Sequence, residues 1–104
     1  MQNPPALSRD ERRAALEKAV ENRRRRATFK EEVKSGRRKW RDALDSTDVA
    51  IQKMRVKELI EALPGFGTTR ALATLDRVGI SHKRRIQGLG STQREKLLIE
   101  LRGR

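Results

Sequence analysis

The residues that could do chemistry in this chain are backbone groups and cations rather than nucleophiles. Gly65-Phe66-Gly67 runs directly into Thr68-Thr69-Arg70, and 23 residues later Gly88-Leu89-Gly90 runs into Ser91-Thr92-Gln93. A glycine–apolar–glycine turn that opens a helix leaves amide N–H groups exposed at the positive end of that helix, where a phosphate is favoured. Pro64 stops the helix before the first turn, and Gly65 and Gly67 are expected to take backbone angles that a Cβ disfavours. Phe66 is expected to be buried. Ala71 is small where two helices would cross, and Ser91 is a credible N-cap for the last helix. Lys83-Arg84-Arg85 stands just upstream of the second turn. Two rows of amides, one beside three adjacent cations, would make a two-point grip on a phosphate backbone.

Other chemistry has little material. The 104 residues include no Cys, which removes disulfides and every cysteine-ligated metal centre. The single His, His82, has no second ligand near it in sequence and reads as a surface residue, so no metal or cofactor is expected. Aromatic residues are 3% with no Tyr, too few for a base-stacking platform. No apolar run is long enough to span a membrane, and the N-terminus does not read as a signal peptide. The net charge of +12 points to a polyanion as partner. That charge is uneven: +6 over residues 1–45, +1 over 46–80 and +5 over 81–104.

The elements that must position these groups are helical. Ser8 three residues before Glu11 is a capping-box pattern, and no Gly or Pro interrupts Arg9 to Lys34 before Ser35-Gly36 offers a stop. Leu16, Ala19, Val20, Ala27, Phe29 and Val33 give this long helix only a thin apolar face, so most of it must be solvated or covered by a partner. Helical character resumes from Arg37 to Leu44, with Trp40, Ala43 and Leu44 on one face. Beyond Thr47 the apolar residues Val49, Ile51, Met54, Val56, Leu59, Ile60, Leu63, Leu72, Leu75, Val78 and Ile80 recur at helical spacing. Short helices are expected near 48–53, 56–62, 68–78 and 92–101, with a single turn near 82–86. The fold class is therefore all-α: a basic helical arm over residues 1–45, then a small compact helical domain over 46–104.

Leu63-Pro64-Gly65-Phe66-Gly67 with Ala71 is similar to the helix–hairpin–helix motif. The stretch Leu59–Leu98, with Arg84-Arg85-Ile86-Gln87-Gly88-Leu89-Gly90 and Gln93, resembles its helix–two-turns–helix variant. Ala14-Ala15-Leu16-Glu17-Lys18-Ala19, then Lys53-Met54-Arg55-Val56, then Leu59-Ile60-Glu61-Ala62-Leu63-Pro64 extend the likeness. In this order they resemble the actinobacterial integration host factor family over nearly the whole chain, most loosely over residues 36–50. The resemblance implies an all-α, nucleoid-associated protein that binds double-stranded DNA with little sequence preference; a monomer in solution and a cytoplasmic location are expected. It implies contacts at Gly65, Gly67, Thr68, Thr69 and Arg70 in the first turn. In the second it implies Lys83, Arg84, Arg85, Gln87, Gly88, Gly90, Ser91 and Gln93. Gln87 departs from the family, which often has a third Arg there, and Lys57 stands where a small polar residue is usual.

The same helical module occurs in a small-subunit ribosomal protein, so an RNA-binding role is the alternative. Such a protein is expected to carry a basic C-terminal tail, whereas this sequence stops at Arg104. Formamidopyrimidine-type glycosylases also contain the module, but they pair it with an N-terminal Pro nucleophile and usually a zinc finger. With Pro4 internal and no Cys, enzymatic activity is not expected. Arg23-Arg24-Arg25-Arg26 points around most of a helix and cannot face one ligand. It reads either as a solvated face or as attraction toward the DNA backbone. Trp40 reads as core.

Overall fold

The computed structural model describes residues 8–104, so the Asn3-Pro4-Pro5 leader lies outside the described residues. Every regular element among them is helical: α1 (Arg9–Lys34), a 3-10 turn (Trp40–Asp45), α2 (Val49–Gln52), α3 (Val56–Glu61), α4 (Thr68–Val78), a second 3-10 turn (Ile86–Gly88) and α5 (Ser91–Glu100). The ends of α1 follow from its sequence. The Ser8 hydroxyl accepts the Glu11 N–H at 3.1 Å. Gly36 takes the left-handed conformation at φ +80°, and the Arg37 N–H returns to the Glu32 carbonyl at 2.9 Å, a cap that satisfies the last carbonyls.

From Arg37 to Leu44 the expected helix is instead the 3-10 turn Trp40–Asp45. A three-residue period stacks Trp40 directly over Ala43, and both are buried with Leu44 against the rest of the core. That core joins Phe29 and Val33 of α1 to Ile51, Met54, Val56, Leu59, Ile60, Leu63, Ala71, Leu75, Val78, Ile80, Ile86, Leu97 and Leu101. Two residues expected in it behave otherwise: Val49 is 47% exposed and Leu72 is half-buried. The start of α2 is held through Asp48, whose Oδ1 accepts the Ala50 N–H at 2.9 Å, and this fixes Ala50 and Ile51 inward instead of Val49.

Only the last third of α1 belongs to the core. From Arg9 to Thr28 its residues are exposed apart from half-buried Asn22 and Arg26, and Leu16 is 67% exposed. Its 26 residues span roughly 39 Å, which gives the molecule a longest extent of 52 Å against 33 and 25 Å. Phe29 and Val33 anchor the helix, and the Arg38 guanidinium lies over the Phe29 ring at 5.3 Å. Arg25 reaches Asp48 at 3.5 Å. Trp40, 2% exposed, is the bulkiest side chain of the core, and Trp40→Ala should leave a cavity there. We expect a loss of about 3–5 kcal/mol in urea denaturation followed by far-UV circular dichroism; a loss under about 1 kcal/mol would contradict this placement.

Candidate nucleic-acid interface

The two glycine turns are alike in sequence but not in backbone. The first is a type II turn: Pro64 and Gly65 are its central residues, Gly65 takes φ +77°, and the Phe66 N–H closes onto the Leu63 carbonyl at 3.0 Å. The second is the 3-10 turn Ile86–Gly88 followed by extended Leu89 and Gly90. What they share is the residue that caps each following helix. Gly67 caps α4 at φ −109°, ψ −173°, and Gly90 caps α5 at φ −77°, ψ 163°.

Both conformations are open to any residue, which corrects the expectation for Gly67. A Cβ at Gly67 would meet nothing within 4 Å, and one at Gly90 would meet only Gln93 Oε1 at 3.9 Å. Nothing inside the fold demands glycine at either cap. What its absence of side chain leaves open is the row of N–H groups behind it: Thr68, Thr69 and Arg70 at α4, and Ser91, Thr92 and Gln93 at α5. None of these donates to a partner among the described residues.

Ser91 is the first residue of α5 rather than its N-cap. The position is taken by Gly90 because Gln93 folds back and its Oε1 accepts the Gly90 N–H at 3.1 Å. Gln93 Nε2 donates to the Gly79 carbonyl at 3.4 Å, tying the second turn to the end of α4. The chain beyond α5 returns to the first turn, where the Arg104 guanidinium lies 5.3 Å from the Phe66 ring centre. The turns thus sit near opposite ends of α4, roughly 16 Å apart for its 11 residues. Phe66 is half-buried rather than buried, packed against the core and covered by Arg70 at 4.1 Å as well as by Arg104.

Lys83, Arg84, Arg85 and Gln87 are all exposed around the second turn. A short antiparallel pairing brings a distant segment beside them: the Val56 N–H donates to the Arg84 carbonyl and the Ile86 N–H to the Met54 carbonyl, each at 2.9 Å. Arg55 and Arg85 face one another across it. In this non-hydrogen-bonded register their side chains leave the same face about 5 Å apart. Arg85 Nη1 donates to the Lys53 carbonyl at 2.6 Å. Arg84 lies across Gly88, donating to its carbonyl at 3.3 Å, and a Cβ at Gly88 would meet Arg84 Cδ at 3.2 Å. Gly88 thus serves as the bed for Arg84.

Sequence reasoning missed Lys53 and Arg55, because their place depends on a pairing between residues 30 positions apart. Lys53, Arg55, Lys83, Arg84 and Arg85 form no ion pair among the described residues, whereas Arg24, Arg25, Arg38, Lys57, Arg77 and Arg94 each meet a carboxylate. The depression of about 310 Å³ here is lined by Ser81, Lys83, Arg84, Arg85, Gln87 and Gly88, without a carboxylate. Two other depressions include Glu58 and Glu61, or Asp42, Asp45 and Asp48, in their walls.

The arginine run on α1 divides by partner. Arg24 and Arg25 meet Glu21, at 3.8 and 3.3 Å. Arg23 and Arg26 form no ion pair among the described residues and fall at helical spacing with Lys30 and Lys34 along one stripe.

Comparison with known proteins bears on this geometry. The S13-like H2TH domain family matches residues 33–101. The integration host factor of Streptomyces coelicolor is 44% identical over 92 residues, covering 86% of this chain and 85% of the relative. Those of Mycolicibacterium smegmatis and Mycobacterium tuberculosis are 41% and 40% identical over 96 residues, each match covering 90% of this chain and 91% of the relative. A solved structure described as sIHF bound to an 8-base-pair palindromic DNA superposes with a TM-score of 0.78 at 40% identity, over 81% of this chain and 97% of that one.

The distinction between the glycines is measurable by thermal denaturation. Gly90→Ser should leave stability unchanged or raise it by a few tenths of a kcal/mol, since Ser caps at least as well. Gly65→Ala should cost about 1–2 kcal/mol, the penalty of a left-handed residue with a Cβ. Equal losses would mean that both glycines answer to the fold.

Proposed function

This chain belongs to the integration host factor family of S13-like H2TH proteins, and on that premise we propose that it is an architectural protein of double-stranded DNA. It holds the phosphate backbone at the two turns with little sequence preference, and bends or compacts the duplex without catalysing a reaction. The observation that carries the reading is the second turn. Five cations without carboxylate partners among the described residues gather on the segment that leads into three amides without acceptors there, at a helix start whose capping glycine has no internal reason to be glycine. Such a surface is costly in the free protein and is relieved by phosphate.

The roles divide by chemistry. Amides at Thr68–Arg70 and at Ser91–Gln93 donate to phosphate oxygens, while Arg84, Arg85, Lys83, Arg55 and Lys53 neutralise the backbone between them. Gly67 and Gly90 let a strand approach, Gly65 and Gly88 shape the turns, and Gln93 holds the second turn in place. Gln87 offers a neutral donor on the rim. A span near 16 Å crosses a groove rather than linking neighbouring phosphates of one strand, which rise only ~3.4 Å each. The exposed part of α1, from Arg9 to Thr28, acts as the basic arm, with its aim set by Arg23, Arg26, Lys30 and Lys34. The protein acts as a monomer on the cytoplasmic nucleoid; no helix among the described residues is long and apolar enough to cross a membrane.

A salt titration tests the reading. Log K for a mixed-sequence duplex should fall linearly with log salt, by ~0.9 per phosphate contact. Arg55→Ala with Arg84→Ala should weaken every duplex alike and flatten that slope by up to about 2, whereas Arg24→Ala, already paired to Glu21, should change it little. Tighter binding to structured RNA than to duplex DNA would overturn the proposal in favour of an RNA partner.

A further inference from the structure

The two turns present equivalent rows of amides, yet their electrostatic surroundings differ. Lys83, Arg84 and Arg85, which form no ion pair among the described residues, lead into the second. At the first, the carboxylate of Glu61, from the last residue of α3, already stands against the opening turn of α4. Glu61 Oε2 accepts the Thr68 hydroxyl at 2.9 Å. Its other oxygen lies 3.5 Å from Lys57 Nζ, one turn back on α3. The side chain is held in place: Glu61 and Lys57 are each about one-third exposed, at 30% and 33%. Of the other cations nearby, Arg70 rests over the Phe66 ring at 4.1 Å, and Lys30 and Lys34 of α1 line one depression with Lys57, Glu58 and Glu61.

We infer that Glu61 is an intramolecular competitor of phosphate, which holds the Thr68 hydroxyl beside the open amides of the first turn in the free protein and makes that turn the weaker of two unequal subsites. This rests on the reading of both turns as phosphate sites and says how the first is regulated. A carboxylate at the positive end of a helix satisfies the same field that would attract a phosphate. A phosphate oxygen arriving at Thr68 must take over the hydroxyl that Glu61 now holds, and must meet a like charge while it does so. Displacing Glu61 also releases Lys57, whose ammonium can then follow the incoming anion. Among the described residues no carboxylate bonds Ser91, Thr92 or Gln93, and Asp45, the acid at this helix start, is taken up by Arg94 at 2.7 Å; the second turn is therefore the anchor, and the first engages after it. Glu61 thereby sets how firmly the duplex is held at its second contact, and so how readily the protein lets go.

The test separates the subsites with one simple probe. Inorganic phosphate is titrated into the 15N-labelled full chain, and the amides of Thr68–Arg70 and Ser91–Gln93 are followed individually by NMR. The second turn should respond at lower phosphate concentration than the first. Glu61→Gln, which keeps the shape and the Thr68 acceptor, should lower the first-turn dissociation constant three- to ten-fold and leave the second unchanged. Glu58→Gln, on the same helix and with the same change in charge, should shift the first turn much less. In parallel, Glu61→Gln should tighten duplex binding by a similar factor and steepen the salt slope by up to about 1, because the displaced carboxylate no longer offsets one cation of the bound surface.

Equal response of the two turns in the native chain, or the same shift from Glu58→Gln as from Glu61→Gln, would overturn the inference. Absence of duplex binding by the native chain, with the phosphate pattern intact, would instead overturn the DNA reading alone. If Glu61 merely braces the turn, Glu61→Gln weakens the first-turn response, and the sign decides against the proposal.

Discussion

Two backbone hydrogen bonds, from Val56 to Arg84 and from Ile86 to Met54, hold together the surface proposed to meet DNA. They are too few to make a sheet, but they impose the alternation of one. Met54, Val56 and Ile86 point into the core, so Arg55 and Arg85 must point out, side by side. Hydrophobic burial therefore supplies the force that presses two like charges together. The same pairing brings the Lys53 carbonyl to Arg85 and sets the direction in which the second turn leaves for α5. A charge cluster built in this way resists self-repulsion because its members are chained to buried neighbours rather than to carboxylates.

Much of the fold was legible because its signals are local. Ser8, Ser35-Gly36 and the Pro64-Gly65 pair act within a few residues of themselves, and the helices they bound lie where the sequence places them. The exceptions are as instructive. Val49 fits the apolar period but is turned out, since Asp48 caps α2 one residue earlier and shifts the face that packs. Ser91 looked like the natural N-cap, yet Gln93 folds back on Gly90, and an interaction of side chain with backbone outweighed residue preference. Arg55 and Lys53 carry no local sign that they lie beside the second turn. Their positions are fixed by a segment about 30 residues away, and no periodicity within 46–80 could reveal that meeting.

The charge itself needed the structure to acquire a direction. A net +12 describes attraction without location. Among the described residues the carboxylates draw off Arg24, Arg25, Arg38, Lys57, Arg77 and Arg94, several of which pin one element to another: Arg25 to Asp48, Arg77 to Glu100, Arg94 to Asp45. Exposed pairs of this kind contribute little each, roughly 0–1 kcal/mol, so their main effect is electrostatic masking. Beside the second turn Lys53, Arg55, Lys83, Arg84 and Arg85 keep no carboxylate partner among the described residues, and on α1 Arg23 and Arg26 do the same on one stripe with Lys30 and Lys34. Pairing thus subtracts charge where elements are pinned together and spares the segment before the second turn.

The capping glycines bring the same trade-off down to single atoms. Ser, Asp or Asn at Gly67 and Gly90 would satisfy one of the three amides behind them, and the open space around both Cβ positions would admit them. Glycine gives up only a few tenths of a kcal/mol by comparison. In return, each helix keeps its first-turn donors unspent and its axis unobstructed. At α5 the one local acceptor, Gln93, reaches behind the cap to the Gly90 N–H instead of covering the donors that face outward. At α4 the acceptor is charged and acts from the neighbouring helix through Thr68. The two helix starts therefore keep their amides free in different ways, the first beside a carboxylate and the second beside unpaired arginines, and from that difference follows an order of engagement that the near-repeat in sequence conceals.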